Sequence, residues 1–72
     1  MRYFATRDDQ DRVTSRHLAV EVIDSVTEQV TLEPMGARVP DSAIEVTAHQ
    51  HGALGNPAMR LTAEGETYEA SG

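Results

Sequence analysis

The stretch from Thr14 to Val30 is the longest run of the sequence with a consistent apolar face, so the rest of the chain must pack against it. At 100° per residue its apolar side chains share one arc and its acids fill the opposite side, as in an amphipathic helix. At a period of two most of the same apolar residues also share a face, interrupted by Asp24 and Glu28, as in a strand or a hairpin bent near Asp24. Periodicity alone therefore leaves both structures open.

The residue types of this region favour opposite answers. Seven of the sixteen residues from His17 to Leu32 are β-branched, which favours strands because such side chains lose χ1 freedom in a helix. Residues 1–33, however, contain no Gly, Pro or Asn, the residues that usually form tight turns. Three strands in this half of the chain would have to turn on Asp and Ser. We therefore expect a helix from about Thr14 to Gln29 with a hydroxyl cap at its start.

Three short strands are expected outside that helix. Residues 2–6 form the first, with Tyr3 and Ala5 on one face. Residues 30–33 form the second, ended by Pro34, which has no N–H for a sheet ladder. Apolar and polar residues alternate from position 43 to 49, which predicts a third strand. Its core-facing residues would be Ile44, Val46 and Ala48.

The end of the chain predicts a β-hairpin. A two-residue turn at Glu64 and Gly65 would create three favourable cross-strand pairs. These pairs are Leu61 with Tyr68, Thr62 with Thr67, and Arg60 with Glu69. Tyr68 would then lie in the core beside Leu61. A longer loop with a bulge at Gly65 also fits, because Glu is less usual than Asn or Asp before Gly.

These elements predict a single α+β domain over residues 1–72, in which one helix packs on a small, mainly antiparallel sheet in the order β-α-β-β-β. The alternative is an all-β barrel or sandwich of SH3-like size. With 72 residues and no Cys, the chain has one small core and neither a disulfide nor a thiolate zinc site. No apolar run is long enough for a membrane helix and no secretory leader is evident, so we expect a cytoplasmic protein. The absence of Lys favours a bacterial or bacteriophage accessory protein.

Chemical motifs are sparse in this sequence. It has no Cys nucleophile, nucleophile elbow or phosphate-binding loop, and its acids are spaced as solvated faces, so we expect no enzyme and no cofactor. His49 and His51 would point the same way on a strand and could hold zinc or copper if a third ligand arrived. Because no third ligand stands at a diagnostic spacing, we expect no metal site.

Charge is the strongest functional indication. The net charge is −6; residues 1–16 balance to +1, whereas residues 17–72 carry two Arg against nine acids, a balance of −7. Such a surface repels nucleic acid but suits a basic patch on another protein. We therefore expect an acidic, non-enzymatic protein-binding module, such as an inhibitor or decoy that occupies a nucleic-acid-binding patch on a larger protein.

The acids expected to contact that partner fall into two sets. Those on or near the sheet are Glu45, Glu64, Glu66 and Glu69, and those on the predicted helix are Glu21, Asp24 and Glu28. Two alternatives remain open. Acidity can serve solubility alone, or the chain can be a structural or assembly subunit that self-associates through its sheet edges.

Overall fold

The chain forms strands and one short helix in the order β-β-β-β-α-β-β, as seen in a computed structural model that describes residues 1–70. The elements are β1 (Arg2–Arg7), β2 (Val13–Ile23), β3 (Val30–Pro34), β4 (Ile44–Val46), α1 (Ala48–Ala53), β5 (Met59–Leu61) and β6 (Thr67–Glu69). Strands β1 to β4 form an antiparallel sheet in the order β3-β2-β1-β4, and β5 pairs with β6 in a second sheet. The domain is thus mixed α and β with an antiparallel sheet, as expected. In the described residues the four-stranded sheet is open and one helix is present, which differs from the alternative of an all-β barrel or sandwich.

The predicted helix from Thr14 to Gln29 is wrong, because most of this region is strand β2. The β-branched residues were the better guide, and the turn after β2 needs no Gly, Pro or Asn. The Asp24 carboxylate accepts the backbone N–H of Val26 at 2.7 Å and of Thr27 at 3.0 Å. Glu28 then takes a φ of 60° and closes the loop. An aspartate side chain thus forms the turn between β2 and β3, so the lack of Gly, Pro and Asn in residues 1–33 does not exclude three strands.

The turn between β1 and β2 is built in the same way. The Asp8 carboxylate accepts the backbone N–H of Gln10 at 2.9 Å and of Arg12 at 3.0 Å. Asp11 has a φ of 63°, a left-handed conformation that Asp adopts more readily than most residues. Both hairpins of the N-terminal half therefore turn on a carboxylate that binds backbone amides.

The four-stranded sheet has two distinct faces. The first, which we call the helix face, carries Tyr3 and Ala5, as the sequence predicted, and it packs against α1 and β5. Its core consists of Ala5, Val46, Leu54 and Leu61, with Leu61 0% exposed. The opposite, loop face carries Phe4 and Ala19. Because β3 and β4 lie at opposite edges, the segment 35–43 crosses the loop face to join them.

The predicted strand over residues 43–49 ends early. Ile44 and Val46 face the core as expected, but Thr47 caps helix α1. The Thr47 hydroxyl accepts the Gln50 N–H and the Gln50 side chain accepts the Thr47 N–H, which is a capping box. Ala48 and His49 therefore lie in the helix, so their expected positions on a strand are wrong.

The C-terminal hairpin forms, but its predicted register is wrong by one residue. Leu61 lies opposite Thr67, and Arg60 lies opposite Tyr68. The loop is longer than two residues, because Thr62 N–H donates to the Glu66 carbonyl and Gly65 has a φ of 88°. This is the longer-loop alternative, since a Gly in the left-handed region accommodates the extra residue.

Candidate functional site: a projecting two-stranded arm

The main surface feature is a β-ribbon that continues beyond the rest of the sheet. The pairing of β1 with β2 ends where Arg2 meets Ala19, whereas β2 and β3 remain paired out to Ile23 and Val30. Within residues 1–70, the segment 20–33 is therefore a two-stranded ribbon, which we call the arm. Its residues are all exposed.

The arm gives the molecule its elongated shape. The described chain measures 53 × 21 × 20 Å, and its radius of gyration is 13.7 Å. A compact chain of this length would have a radius of gyration of about 11 Å. The arm thus extends away from the core instead of packing on it.

Both faces of the arm carry apolar side chains. Val20 and Val22 continue the helix face, and Ile23, Val30 and Leu32 lie on the continuation of the loop face. Ile23 is 66% exposed and Val30 is 54% exposed. An isolated two-stranded hairpin is at best marginally stable in water, because it buries too little apolar surface. A partner that covers these side chains would therefore stabilise the arm.

All the charged residues of the arm are acidic. The sequence between Arg16 and Arg38 contains four acids and no Lys or Arg. Three of the acids were predicted partner residues: Glu21 lies on the loop face, and Asp24 and Glu28 form the turn at the tip. The backbone N–H groups of Thr27 and then Val26 hold the pKa of Asp24 below its ordinary value, so its charge persists into mild acid.

Strand β3 exposes one edge of its backbone. The Met35 N–H donates to the Leu18 carbonyl and the Asp24 N–H donates to the Gln29 carbonyl, each at 2.9 Å. Because successive residues of an antiparallel strand alternate between bonded and non-bonded pairs, this register directs the amides of residues 31 and 33 towards β2. The backbone N–H and carbonyl groups of residues 30, 32 and 34 consequently point away from β2, although Pro34 has no N–H.

Only a few backbone groups of β3 point outwards, and Pro34 ends the series. Val30 and Leu32 each present an N–H and a carbonyl, whereas Pro34 presents only a carbonyl because it has no N–H. A proline on the open side of an edge strand leaves the inner ladder intact and limits pairing at one end. The edge can therefore accept a strand over a short length.

The other predicted partner residues lie outside the arm. Glu45 on β4 forms two hydrogen bonds with the Arg2 guanidinium, at 2.5 and 2.6 Å, which lower the pKa of Glu45. Its charge is thus compensated locally. Glu64, Glu66 and Glu69 belong to the β5–β6 hairpin in the second sheet. The structure therefore brings Glu21, Asp24 and Glu28 together and separates them from the hairpin acids.

Sequence reasoning missed Glu33, which joins the arm set. It lies opposite Val20 on the continuation of the helix face. The helix prediction ended before it, and so it was not counted with the acids of residues 21–28. The signal that would have found it is the run 17–37 without Lys or Arg, considered together with a period of two.

A half-open, mainly apolar pocket lies under the crossing segment 35–43. It has a volume of about 420 Å³. Phe4, Ala19, Leu32 and Pro34 line it from the sheet. The crossing segment contributes Val39, Pro40 and Ala43, together with the charged residues Arg38 and Asp41. Leu32 and Pro34 thus connect this pocket to the edge strand of the arm.

His49 and His51, the two histidines considered as metal ligands, point in different directions. On helix α1, residues two apart are separated by about 200° around the axis. His49 is exposed, while the His51 ring lies 5.2 Å from the Tyr3 ring. Burial, and then the charge of Arg16, lower the pKa of His51. Residues 1–70 contain no cluster of three His, Cys, Asp or Glu side chains that could hold a metal ion.

A hydroxyl network joins β1 to β2 away from the arm. The Thr6 hydroxyl lies 2.5 Å from the hydroxyls of Thr14 and Ser15, and the Ser15 hydroxyl lies 2.8 Å from Nε2 of His17. These contacts link neighbouring strands on the loop face, so we assign them a structural role.

The chain matches no protein-family model, no curated protein and no solved structure. In the described part of the chain, no helix is long and apolar enough to cross a membrane.

Proposed function

We propose that the protein is a small, non-enzymatic binding module that holds a basic surface of another protein through its arm. The observation that carries this proposal is the coincidence of charge and shape. The run of four acids without Lys or Arg is also the segment that projects from the core and exposes apolar side chains. Hydrophobic contact would supply affinity, and the acids would steer a cationic partner and select it.

Occupation of a basic patch has a functional consequence. A patch rich in Lys and Arg is also the kind of surface that binds phosphate backbones. A protein that covers such a patch competes with nucleic acid for it. The module would then act as an inhibitor or decoy, with the arm in place of the phosphates.

The test compares two variants that lose the same charge at different places. The arm variant combines Glu21→Gln, Glu28→Gln and Glu33→Gln, and the hairpin variant combines Glu64→Gln, Glu66→Gln and Glu69→Gln. Binding to poly-L-lysine is measured at low and high salt. We expect the arm variant to bind about tenfold more weakly, with a flatter salt dependence, and the hairpin variant to bind like the parent. Equal losses in both variants would contradict a site on the arm and leave only general acidity.

A second candidate function is self-assembly through β3. It is supported by the open edge of β3 and by the exposed side chains of Val30 and Leu32. A two-fold antiparallel pairing about Leu32 would place Glu33 opposite Thr31 of the second copy, which avoids a direct clash of like charges. The four acids of each arm would still repel one another.

Salt separates the two candidates. Self-association between acidic arms should strengthen as salt screens their repulsion, whereas binding to a basic surface should weaken. Analytical ultracentrifugation of the purified protein at varied concentration and salt measures the first effect. A dimer that forms more readily at high salt would favour the assembly subunit, and a monomer under all conditions would reject it.

A further inference from the structure

We propose that the partner binds as an added β-strand on the outer edge of β3, and that this strand alternates apolar and cationic residues. The inference rests on the proposed function and specifies the kind of partner segment that the arm takes. It depends on three features: the free backbone groups of β3, the alternation of its side chains, and the difference between the two edges of the sheet.

The backbone of β3 offers a suitable set of hydrogen bonds. The outward N–H and carbonyl of Val30, the same groups of Leu32 and the carbonyl of Pro34 are spaced for one short strand. Strand addition satisfies such groups with main-chain bonds, which supply affinity without regard to sequence. The missing N–H of Pro34 sets one end of the added strand.

The side chains of β3 specify the sequence of the added strand. Val30 and Leu32 lie on one face, and Thr31 and Glu33 lie on the other. Neighbouring strands place side chains on the same face about 5 Å apart. An apolar residue would therefore pack beside Leu32, close to the pocket that Leu32 helps to line. A Lys or Arg would lie beside Glu33, so the added strand alternates between the two types.

The other edge of the sheet is less suitable. Strand β4 has only three residues and runs directly into the Thr47 cap of helix α1. Gly65 of the second hairpin also approaches this strand, since a Cβ on Gly65 would lie 3.4 Å from a methyl carbon of Ile44 and 3.7 Å from the Glu45 carbonyl. Strand β3, in contrast, has five residues and all are exposed.

Charge favours a basic strand over a second copy of the chain. The edge strand of another copy would bring Glu28 and Glu33 towards an arm that already carries four acids. A strand with alternating Lys residues would instead place a cation beside Glu33 on the helix face. We therefore assign the edge to a basic segment of a different protein.

The probe is a short, end-blocked peptide in which lysine and valine alternate. Its control contains the same residues in two blocks, which keeps the charge and composition but prevents alternation. Amide hydrogen exchange of the protein is followed by NMR with each peptide. We expect the alternating peptide to slow exchange at Val30 and Leu32 by at least about tenfold, because their N–H groups become bonded. The amides of Thr31 and Glu33 already bond to β2 and should change less.

Two substitutions at one position test the backbone bond. Leu32→Pro removes an outward N–H without removing a bond to β2, and Leu32→Val keeps that N–H and an apolar side chain. We expect Leu32→Pro to weaken binding of the alternating peptide about tenfold and Leu32→Val to weaken it less than threefold. The exchange rates of Thr31 and Glu33 in the free variants show whether the arm has stayed folded.

Glu33→Gln tests the cation beside β3, and Glu64→Gln, in the turn between β5 and β6, is the control of equal charge. We expect only Glu33→Gln to reduce the preference for the alternating peptide over the blocked one. Equal binding of both peptides, without protection at Val30 and Leu32, would overturn strand addition and leave the proposed function intact. Failure of both peptides to bind would overturn the proposed function as well.

Discussion

One aspartate carboxylate forms each of the two hairpin turns in the N-terminal half of this fold. Asp8 and Asp24 each accept two backbone N–H groups and form turns that Gly, Pro or Asn provide in most hairpins. Asp11 and Glu28 follow them with positive φ. The absence of Gly, Pro and Asn from residues 1–33 favours a helix when the sequence is considered alone. A side-chain oxygen that binds the following amides can replace those residues.

Replacing Asp24 with Ala should loosen the arm while the core remains folded. The change removes the acceptor of the Val26 and Thr27 amides, so the tip loses its fixed turn. Hydrogen exchange of the arm amides should accelerate, and that of the core strands should not. Asp41→Ala is the matched control, because Asp41 is exposed and makes only a 3.9 Å ion pair with Arg38. An arm that keeps its protection in the Asp24 variant would contradict this role.

Replacing Glu28 with Gly should have the opposite effect. Glu28 has a φ of 60°, which Gly adopts without the steric conflict of a Cβ. We expect the arm to gain about 1 kcal/mol, measured as slower exchange of its paired amides. Ser25→Gly at the same tip should instead destabilise the arm, because Ser25 does not have a positive φ and Gly only adds freedom to the unfolded chain. Identical effects of the two substitutions would contradict the explanation by φ.

At the level of elements, the local residue pattern predicts several strands, but it does not predict how those strands are arranged in the sheet. Residue types predicted strand β1 and, with Pro34 as its end, strand β3. Alternation predicted the core positions Ile44 and Val46. The helix at 48–53 is not predicted from the sequence, because its capping box of Thr47 and Gln50 lies within a run of alternating apolar and polar residues. The sequence predicts an acidic surface but not which acids lie together, because that depends on which strands extend beyond β1.

The register of the C-terminal hairpin decides which of its side chains is buried in the core. The sequence predicts Tyr68 in the core with Leu61, but Tyr68 is 44% exposed and its hydroxyl donates to Oδ2 of Asp11 at 2.8 Å. Leu61 is fully buried. Leu61→Ala should therefore lower the free energy of unfolding by about 3 kcal/mol, measured by urea denaturation. Tyr68→Ala should cost much less, because the Tyr68 side chain is 44% exposed, and a loss from Tyr68→Ala as large as that from Leu61→Ala would place the Tyr68 ring in the core.

Over the whole molecule, stability should decrease from neutral to mildly acidic pH. Burial and the charge of Arg16 lower the pKa of His51 in the folded protein, so the unfolded chain binds the proton first. The contribution of neutral His51 is complete above its ordinary pKa of 6.5 and is lost as the pH falls through that value towards the lowered one. Asp8 and Asp24 add a further loss at lower pH, since their pKa values are also lowered in the folded state.

The His51 step can be isolated by substitution. His51→Gln should flatten the dependence of the melting temperature on pH in the range just below 6.5. His49→Gln is the matched control, because His49 is exposed on the same helix, and it should keep the slope of the parent. Parallel pH profiles for the parent and the His51 variant would show that this imidazole does not set the acid response.

The boundary at Ala19 and Pro34, where the arm leaves the sheet, separates two kinds of structural constraint. Residues on the core side must fill a small, closely packed interior, whereas residues 20–33 other than Leu32 need only preserve strand pairing and the turn at Asp24. Side chains of the arm other than Leu32 can thus be exchanged without repacking the interior, so the binding surface can change while the scaffold stays the same. For protein engineering, the same boundary makes the arm a natural place to graft or randomise sequence while the scaffold stays constant.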